Sequence, residues 1–452
     1  MGAALRPLRY RNFAVLWTAS LVSNVGTWMQ TVAVGALVIS RTGQASWAVL
    51  VAAGAFLPIG LLSPVGGALA DRLPRRPVIA AGNLAQAVVA AIIAILVARG
   101  QAAPYLLLAL VTLQGAAAAL IGPFSQAILP DLVPRPEFLA ASSLNSAQWN
   151  AGRIAGPALA GATVAVFGYP ASFVANAVSF LAVLIALVFV RLAPPPGTQA
   201  DLLTSIRDGV RAAWAQPSCR AATISITVVA LLASPFIALV PAVAYSLTHS
   251  ASGTPGTGGV AAATAALTTS QGLGAVAGAL CLPPLALRFG RGRALAWSLA
   301  LLPPVLIGYG VTRSLWPAVI LLFVVGLIYM GVLSGLQTVA QLYAPAAYRG
   351  RVLSVFFVAL GVAYPIGSLV QGPVANHLGV GPTTVGAALL LAAISVLVAW
   401  RRPAFVRAVT AADGADSAAL VPAELAAGST LSVAGPAANL HRDSADHRRA
   451  AR

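Results

Sequence analysis

The sequence contains no lysine and few carboxylates. All 27 of its basic residues are arginines and only ten residues are acidic, so the formal net charge of the 452-residue chain is +17. The phosphate-binding loop of an ATP-driven pump needs a lysine, which excludes such a motor in this chain. The two cysteines, Cys219 and Cys281, lie in or beside apolar stretches, which argues against a disulfide framework. The four histidines lack metal-ligand spacing and no Ser-His-acid set is visible, so we predict no cofactor, no metal and no enzyme activity.

Charged residues make up only 8% of the chain, whereas 59% of it is hydrophobic. Soluble domains carry about 25% charged residues, and a soluble core cannot absorb this much apolar surface. A nucleic-acid-binding protein clusters its basic residues on a soluble face, but here the arginines occupy short gaps between apolar stretches. We therefore predict an integral membrane protein in contact with the lipid bilayer, without a nucleic-acid partner.

Twelve apolar stretches approach the roughly 20 residues that a membrane-spanning helix needs. They are predicted at 13–39, 46–70, 77–98, 104–129, 140–166, 171–190, 219–245, 260–286, 294–311, 316–342, 352–376 and 380–400. The predicted fold class is therefore all-α integral membrane with twelve transmembrane helices.

The arginines are divided unevenly between the two sides of these spans. Most precede the first span, follow the last, or fill alternate gaps, whereas the other gaps hold only Arg41, Arg99 and Arg313. Positive residues favour the cytoplasmic side, so we predict a multi-pass protein with both termini in the cytoplasm. Arginine without lysine, together with abundant alanine, suggests a GC-rich bacterial genome and hence a bacterial plasma membrane.

Two segments lie outside the spans. Residues 191–218 contain apolar side chains at helical spacing, namely Leu203, Ile206, Val210 and Trp214. This pattern predicts an amphipathic helix on the cytoplasmic interface, with a structureless linker as the alternative. The polar residues 403–452 show no periodicity and are predicted to be a disordered tail. The predicted domains are thus a six-helix bundle (1–190), a linker (191–218), a second six-helix bundle (219–402) and the tail.

The two halves of the chain repeat. A proline and three glycines recur at one offset of 211 residues: Pro134, Gly156, Gly161 and Gly168 match Pro345, Gly367, Gly372 and Gly379. Parallel six-helix halves, related by an axis along the membrane normal, are an arrangement of secondary transporters.

The gap between spans 2 and 3 carries the most specific motif. It reads Gly66-Gly67-Ala68-Leu69-Ala70-Asp71-Arg72-Leu73-Pro74-Arg75-Arg76-Pro77. This run resembles the signature of the major facilitator superfamily, with Pro74 where the family usually has glycine. A simple positive loop would explain the arginines but not Asp71 or the glycines. The resemblance implies a major facilitator fold of two pseudo-symmetric bundles, and a latch that joins them in the outward-facing state, formed by Gly67, Asp71, Arg72, Arg75 and Arg76.

Span 5 contains a second element, formed by Gly152, Gly156, Pro157 and Gly161. It resembles the Gly-Pro element of exporters in this superfamily, whereas generic small-residue packing is the alternative. Further similarity at 8–13, 23–30, 129–134 and 349–352 places the chain near the branch of the enterobactin exporter and macrolide efflux proteins.

Polar side chains recur at helical spacing on several spans. The candidate cavity residues are Asn24, Thr27, Thr31, Asn150, Arg153, Gln271, Gln337, Gln341, Tyr364 and Gln371. Polar groups are unfavourable in hydrocarbon, so these side chains are expected to face another helix or a wet cavity. For any single threonine the stronger alternative is a hydroxyl bonded to a backbone carbonyl one turn earlier.

Arg153 is the only charge predicted deep in the membrane, since Asp71 and Asp131 reach no further than its edge. We expect a cavity that favours neutral or anionic amphiphiles over permanent cations, with a purely structural tie to a backbone carbonyl as the alternative role of Arg153. Protons are a candidate coupling ion, which would have to act through Asp71, Asp131 or the substrate itself.

Together these features predict a monomeric secondary transporter that exports a small amphiphile, such as a siderophore or an antibiotic, by alternating access. Antiport is one mode that such exporters use. A non-transporting scaffold, or an enzyme acting on lipid-embedded substrates, is the alternative. A membrane enzyme would need a catalytic set at membrane depth, and the sequence offers none.

Overall fold

The computed structural model describes residues 3–190, 202–251, 259–345 and 348–410, and these ranges contain helices and short connections but no β-strand. Helices satisfy every backbone polar group within one segment, as a chain in lipid must. Two 3-10 turns lie at Ala3–Arg9 and Arg135–Glu137. The α-helices are α1 (Arg11–Thr42), α2 (Ala45–Ala70), α3 (Arg75–Ala98), α4 (Pro104–Ala127), α5 (Leu129–Leu132), α6 (Phe138–Phe167), α7 (Tyr169–Phe189), α8 (Leu202–Ala215), α9 (Pro217–Leu232), α10 (Phe236–Ala251), α11 (Gly259–Phe289), α12 (Arg291–Val311), α13 (Leu315–Tyr343), α14 (Arg349–Leu378), α15 (Val380–Arg401) and α16 (Pro403–Thr410).

Eleven stretches of the described residues are long and apolar enough to cross a membrane. They correspond to eleven of the twelve predicted spans, with α9 and α10 together forming one stretch, Pro217–His249. The predicted span 140–166 lies in α6, which has 30 residues but is too polar to meet the same criterion. The all-α membrane fold is therefore established, whereas the count of twelve spans is not.

The predicted seventh span is not one continuous helix, because α9 ends at Leu232 and α10 begins at Phe236. Pro235 has no N–H to donate to the carbonyl of Leu231, four residues earlier. Gln371 of α14 donates its side-chain Nε2 to that carbonyl at 3.2 Å, and to the carbonyl of Leu232 at 3.0 Å. The break thus keeps its backbone acceptors bonded, as a buried irregular segment in a membrane must.

The described helices reproduce the internal repeat. Helices α6 and α14 begin at residues 138 and 349, and α7 and α15 at 169 and 380, so both pairs are offset by 211 residues. Gly168 and Gly379, which lie at the same offset, both adopt positive φ angles, of 78° and 89°, between consecutive helices. Equivalent helices also pack in equivalent pairs: α2 on α4 and α3 on α7 in the first half, α11 on α13 and α12 on α15 in the second.

The buried apolar residues form separate clusters that show where the two halves meet. We call the side at which α1 begins and α2 ends the arginine-rich side, and the other the arginine-poor side. One cluster, which includes Phe13 and Phe124, belongs to the first half on the arginine-rich side, and a second, which includes Ile226 and Leu322, belongs to the second half. The larger of the two clusters shared by both halves contains residues near the arginine-poor ends of the helices, such as Leu239. The halves therefore share a hydrophobic core on the arginine-poor side.

Two peripheral helices pack on the second half. Helix α8 lies in the predicted linker, where Asp208 accepts a 2.9 Å ion-pair contact from Arg351 at the start of α14. Helix α16 corrects the predicted tail: residues 403–410 are helical, and Ala408 and Val409 are buried against the bundle. Its apolar residues find a packing surface that the local composition does not reveal. The rest of the predicted tail, 411–452, lies outside the described residues.

Candidate functional site

The two halves are joined by hydrogen bonds on the arginine-poor side. The backbone N–H of Ser46, at the start of α2, donates to Oδ1 of Asn376 near the end of α14 at 3.1 Å. Nδ2 of Asn376 donates in return to Oγ of Ser46 at 2.7 Å. Close packing accompanies this pair, since a Cβ placed on Gly35 of α1 would lie 2.9 Å from the ring of Pro241 in α10. This side of the molecule is therefore closed.

Helices α2 and α14 stay in contact as far as the middle of the membrane and then separate. A Cβ on Gly60 would lie 2.9 Å from the carbonyl carbon of Gly361, and the rings of Phe56 and Tyr364 meet edge to face with centroids 5.8 Å apart. About two turns further toward the arginine-rich side, a Cβ on Gly67 would have no neighbour within 4 Å. The two helices therefore diverge toward that side.

Helices α6 and α11 likewise touch on the arginine-poor half and separate toward the arginine-rich side. A Cβ on Gly161 would lie 2.7 Å from Ala265, so these helices touch on the arginine-poor half. Toward the arginine-rich side, Leu139 near the start of α6 and Leu287 near the end of α11 are 81% and 79% exposed. We call the space between α2, α6, α11 and α14 on this side the central opening. The protein is thus open toward the arginine-rich side and closed on the other.

Arg153 lies at the inner end of the central opening. It is about 22 Å along α6 from Phe138 and about 21 Å from Phe167, at 1.5 Å per residue, and so near the middle of this helix. Its half-buried side chain is within electrostatic range of the phenol groups of Tyr329 and Tyr364, which belong to the other half. Its guanidinium has no hydrogen-bond or ion-pair partner among the described residues. A guanidinium without a partner among the described residues therefore lies where the two halves meet.

The sequence left open a structural tie between Arg153 and a backbone carbonyl, and the carbonyl that Pro157 frees is one candidate for it. That carbonyl is the one four residues earlier, which is the carbonyl of Arg153 itself. Helix α11 approaches it with a glycine, since a Cβ on Gly272 would lie 3.2 Å from this oxygen. The backbone of Arg153 thus faces α11, and the proposed tie to the guanidinium is not formed.

The glycines of the Gly-Pro element serve two different interfaces. A Cβ on Gly152 would lie 2.7 Å from the amide nitrogen of Asn24, and one on Gly156 would lie 2.8 Å from the carbonyl oxygen of Val25. These two glycines pack α6 against α1 within the first half, whereas Gly161 packs it against α11 in the second. The element therefore lets one helix contact both halves closely.

The predicted cavity residues of the first half are mostly engaged locally. Asn24 donates to the carbonyl of Gln148 at 3.1 Å, which ties α1 to α6. Asn150 donates to the carbonyl of its own helix one turn earlier, and Thr27 and Thr31 do the same on α1. The threonine hydroxyls are thus bonded to backbone carbonyls one turn earlier, as in the alternative interpretation. Among these residues, Arg153 is the one whose polar group has no bonding partner in the described part of the chain.

The predicted cavity residues of the second half lie on α11, α13 and α14. Gln371 donates to the backbone at the break between α9 and α10, and Tyr364 packs on Phe56 of the other half. Gln337 and Gln341 are half-buried on the arginine-rich part of α13. Gln271 is only 2% exposed, yet its Nε2 has no partner among the described residues. It adjoins Gly272, which places it within a turn of the level of Arg153.

A buried amide network in the first half was missed by the sequence reasoning. Gln30 of α1 donates to Oε1 of Gln114 in α4 and accepts a 2.8 Å bond from Asn176 of α7. Gln114 donates to the carbonyl of Gln86 in α3 at 3.1 Å. Four helices are thereby tied together by neutral side chains. In the sequence, this network is visible only as three isolated amide side chains on different spans. Which of them pair depends on which helices become neighbours, and no local pattern specifies that.

The predicted latch residues are not joined to the second half in this conformation. Arg75 forms a 3.1 Å ion pair with Asp131 of α5, and Arg76 donates to the carbonyl of Val188, both within the first half. Arg72 is exposed, and Asp71 has no partner among the described residues. The resemblance implied a latch for the outward-facing state, and the state described here is open on the latch side. The latch role therefore stays a prediction.

Comparison with known proteins decides the family. The chain matches the family described as transmembrane secretion effector over residues 2–430. It belongs to this family of the major facilitator superfamily. It is 28% identical over 405 residues to the multidrug efflux pump Tap of Mycobacterium tuberculosis, covering 87% of this chain and 93% of the pump. It is 31% identical to the staphyloferrin A transporter of Staphylococcus aureus over 173 residues, which cover 38% of this chain and 44% of that protein.

Solved structures support the fold of this transmembrane secretion effector. A bacterial homologue of the lysosomal transporter Spinster, in an inward-facing and unoccupied conformation, aligns with a TM-score of 0.67 at 16% identity over 90% of this chain and 98% of that one. A bacterial homologue of the iron transporter ferroportin aligns with a TM-score of 0.60, also at 16% identity, over 86% and 99% of the two chains. The protein is thus a multi-pass membrane transporter, and the alternative of a scaffold or a membrane-embedded enzyme finds no support in its family or fold.

Proposed function

We propose that this transporter exports anionic or neutral amphiphiles from the cytoplasm, with both termini and the arginine-rich side in the cytoplasm. The observation that carries the proposal is the unpaired guanidinium of Arg153 at the inner end of the central opening. An arginine in mid-membrane is unfavourable by about 2.5–3.5 kcal/mol on insertion scales, and this cost is retained where the residue has a function. A substrate anion is a suitable partner for it.

Two buried donors on helices that pack against α6 beside Arg153 are also unbonded. Nε1 of Trp28 and Nε2 of Gln271 are buried and have no partner among the described residues. The ring of Trp28 packs edge to face on Trp149, with centroids 5.7 Å apart, and Trp149 lies one turn before Arg153. Aromatic surfaces and hydrogen-bond donors without a carboxylate match an apolar ligand that carries acceptor or anionic groups.

Three observations support the proposed direction of transport. The arginine asymmetry favours the arginine-rich side as cytoplasmic, and the central opening faces that side. Among the relatives, Tap is named as an efflux pump, which agrees with export. Reporter fusions after Arg99 or Arg313 should then read as external, and a fusion after Arg76 as cytoplasmic; a cytoplasmic signal at Arg313 would contradict this topology.

Proton antiport, the coupling mode considered from the sequence, has less support. Of the described carboxylates, Asp131 is paired with Arg75 and Asp71 lies at the end of α2, both outside the central part of the membrane. A double Asp71→Asn/Asp131→Asn variant that still accumulates substrate would exclude these two residues as proton carriers.

Transport by inside-out membrane vesicles tests the proposal. We expect vesicles that contain the protein to accumulate taurocholate, an amphiphile whose sulfonate stays anionic at all working pH values. Arg153→Ala and Arg153→Lys should both reduce this uptake, because lysine does not reproduce the planar fork of the guanidinium. Arg313→Ala removes an exposed arginine between α12 and α13 and serves as the matched control. Robust uptake of the quaternary cation ethidium, unchanged in Arg153→Ala, would refute the proposed substrate class.

A further inference from the structure

We infer that Arg153 is a voltage-sensing charge, and that the membrane potential drives this transporter by acting on its empty form. Among the described residues, Arg153 is the only side chain with a full charge in the central part of the membrane. The described carboxylates Asp71, Asp131, Glu137 and Asp208 all lie at the arginine-rich ends of the helices or in α8. The polar groups at similar depth, such as Gln30 and Gln271, are neutral amides.

The closed side provides the barrier across which the potential would fall. Between Arg153 and the arginine-poor side lie an apolar cluster shared by both halves and the contact of Gly161 with Ala265. On the other side, the side chain of Arg153 stays partly exposed at the inner end of the central opening. In the state described here, Arg153 therefore sits close to the electrical potential of the arginine-rich side.

Alternating access moves this barrier to the other side of Arg153. Without substrate, the conformational change carries one positive charge through most of the membrane potential, which is worth about 2.3 kcal/mol per 100 mV. A negative potential on the arginine-rich side then favours the state open to that side. When a substrate anion neutralises Arg153, the same change carries no net charge and responds little to voltage.

One cycle therefore exports an anion without a coupling ion. The loaded form releases the anion on the arginine-poor side, and the potential pulls the empty, positive form back. Only this substrate step rests on the proposed function, because the voltage response of the empty protein does not depend on which molecule is transported. For a monovalent anion, 100 mV sustains about a 50-fold gradient.

The test is a distance measurement on the empty protein in proteoliposomes. Fluorophores at Leu139→Cys and Leu287→Cys, in a Cys219→Ala/Cys281→Ala background, report on the separation of the arginine-rich ends of α6 and α11, since both leucines are exposed and lie near those ends. A valinomycin and potassium gradient sets the potential. A potential of 100 mV, negative on the arginine-rich side, should shift the equilibrium toward the open form by up to about 50-fold, and the reverse potential should close it.

Two variants separate charge from structure. Arg153→Gln should abolish the response to voltage, whereas Arg153→Lys should retain it even though it transports taurocholate poorly. Saturating taurocholate should suppress the response of the unmodified protein. A voltage response that is absent in the unmodified protein, or equal in the unmodified protein and Arg153→Gln, overturns the inference. If the unmodified protein fails to transport taurocholate but still responds to voltage, the proposed substrate class is refuted and this inference is not.

Discussion

Replacing Asn376 by alanine should open the arginine-poor side. The amide of Asn376 forms two hydrogen bonds with Ser46, one at 3.1 Å and one at 2.7 Å, and these join α14 of the second half to α2 of the first. Alternating access separates these helices when that side opens. The two bonds therefore stabilise one conformation only, and their loss shifts the equilibrium toward the other.

The size of the shift follows from the geometry. Each hydrogen bond contributes about 0.5–1.5 kcal/mol, and the exposure of Asn376 places both in the lower part of this range. Losing both should cost about 1–2 kcal/mol, which changes the ratio of the two states by roughly 5- to 30-fold. Ser46→Ala removes only the bond to the hydroxyl and keeps the backbone donor, so its effect should be roughly 2- to 5-fold.

The fluorophore pair at Leu139→Cys and Leu287→Cys measures this ratio, and Asn376→Ala should bring the two labels closer together. Asn83→Ala is the matched control, because the amide of Asn83 donates to the carbonyl of Ile79 in its own helix and joins no residue of the other half within the described ranges. An unchanged distance in Asn376→Ala, or the same change in Asn83→Ala, would show that this pair does not hold the side closed.

Three further substitutions test other contacts. Gly60→Val should separate α2 from α14, because a Cβ at this position would lie 2.9 Å from the backbone of Gly361; the expected cost is about 1–3 kcal/mol. We expect a larger distance between labels on these two helices and a reduced flux, and normal flux would contradict this. Arg75→Gln should lower thermal stability in detergent by about 1–3 kcal/mol, because it leaves Asp131, whose side chain is 14% exposed, without its partner; an unchanged melting temperature would show that the ion pair is not stabilising. Asp71→Asn should reduce transport at normal protein levels, and wild-type flux would identify Asp71 as an ordinary loop residue.

The sequence predicted the spans well because lipid imposes a local requirement. The last span was predicted at 380–400, and α15 is Val380–Arg401. Each span must be apolar over its own length, so the signal lies within one segment. The same reasoning failed where stability depends on a distant partner. The break before Pro235 is stabilised by Gln371, and α16 is held by a packing surface on the second half.

The candidate site shows the same division. Arg153 stood out in the sequence because a charge within an apolar stretch is visible without any partner. Asn376 and Gln30 did not, because a single polar residue near or within a span has many possible neighbours. Their hydrogen bonds to Ser46 and Gln114 join residues 330 and 84 positions apart.

By itself, then, the sequence determined that the chain spans a membrane, repeats in two halves, and carries one uncompensated charge at depth, since composition, offset and charge are local properties of the chain. The tertiary structure decided which side is open, where the seventh span breaks, and that the guanidinium of Arg153, beside Tyr329 and Tyr364, has no bonding partner in the described part of the chain. These properties depend on which helices become neighbours, and that is set by packing across the whole bundle, because small residues and amides gain their partners only after the helices have assembled.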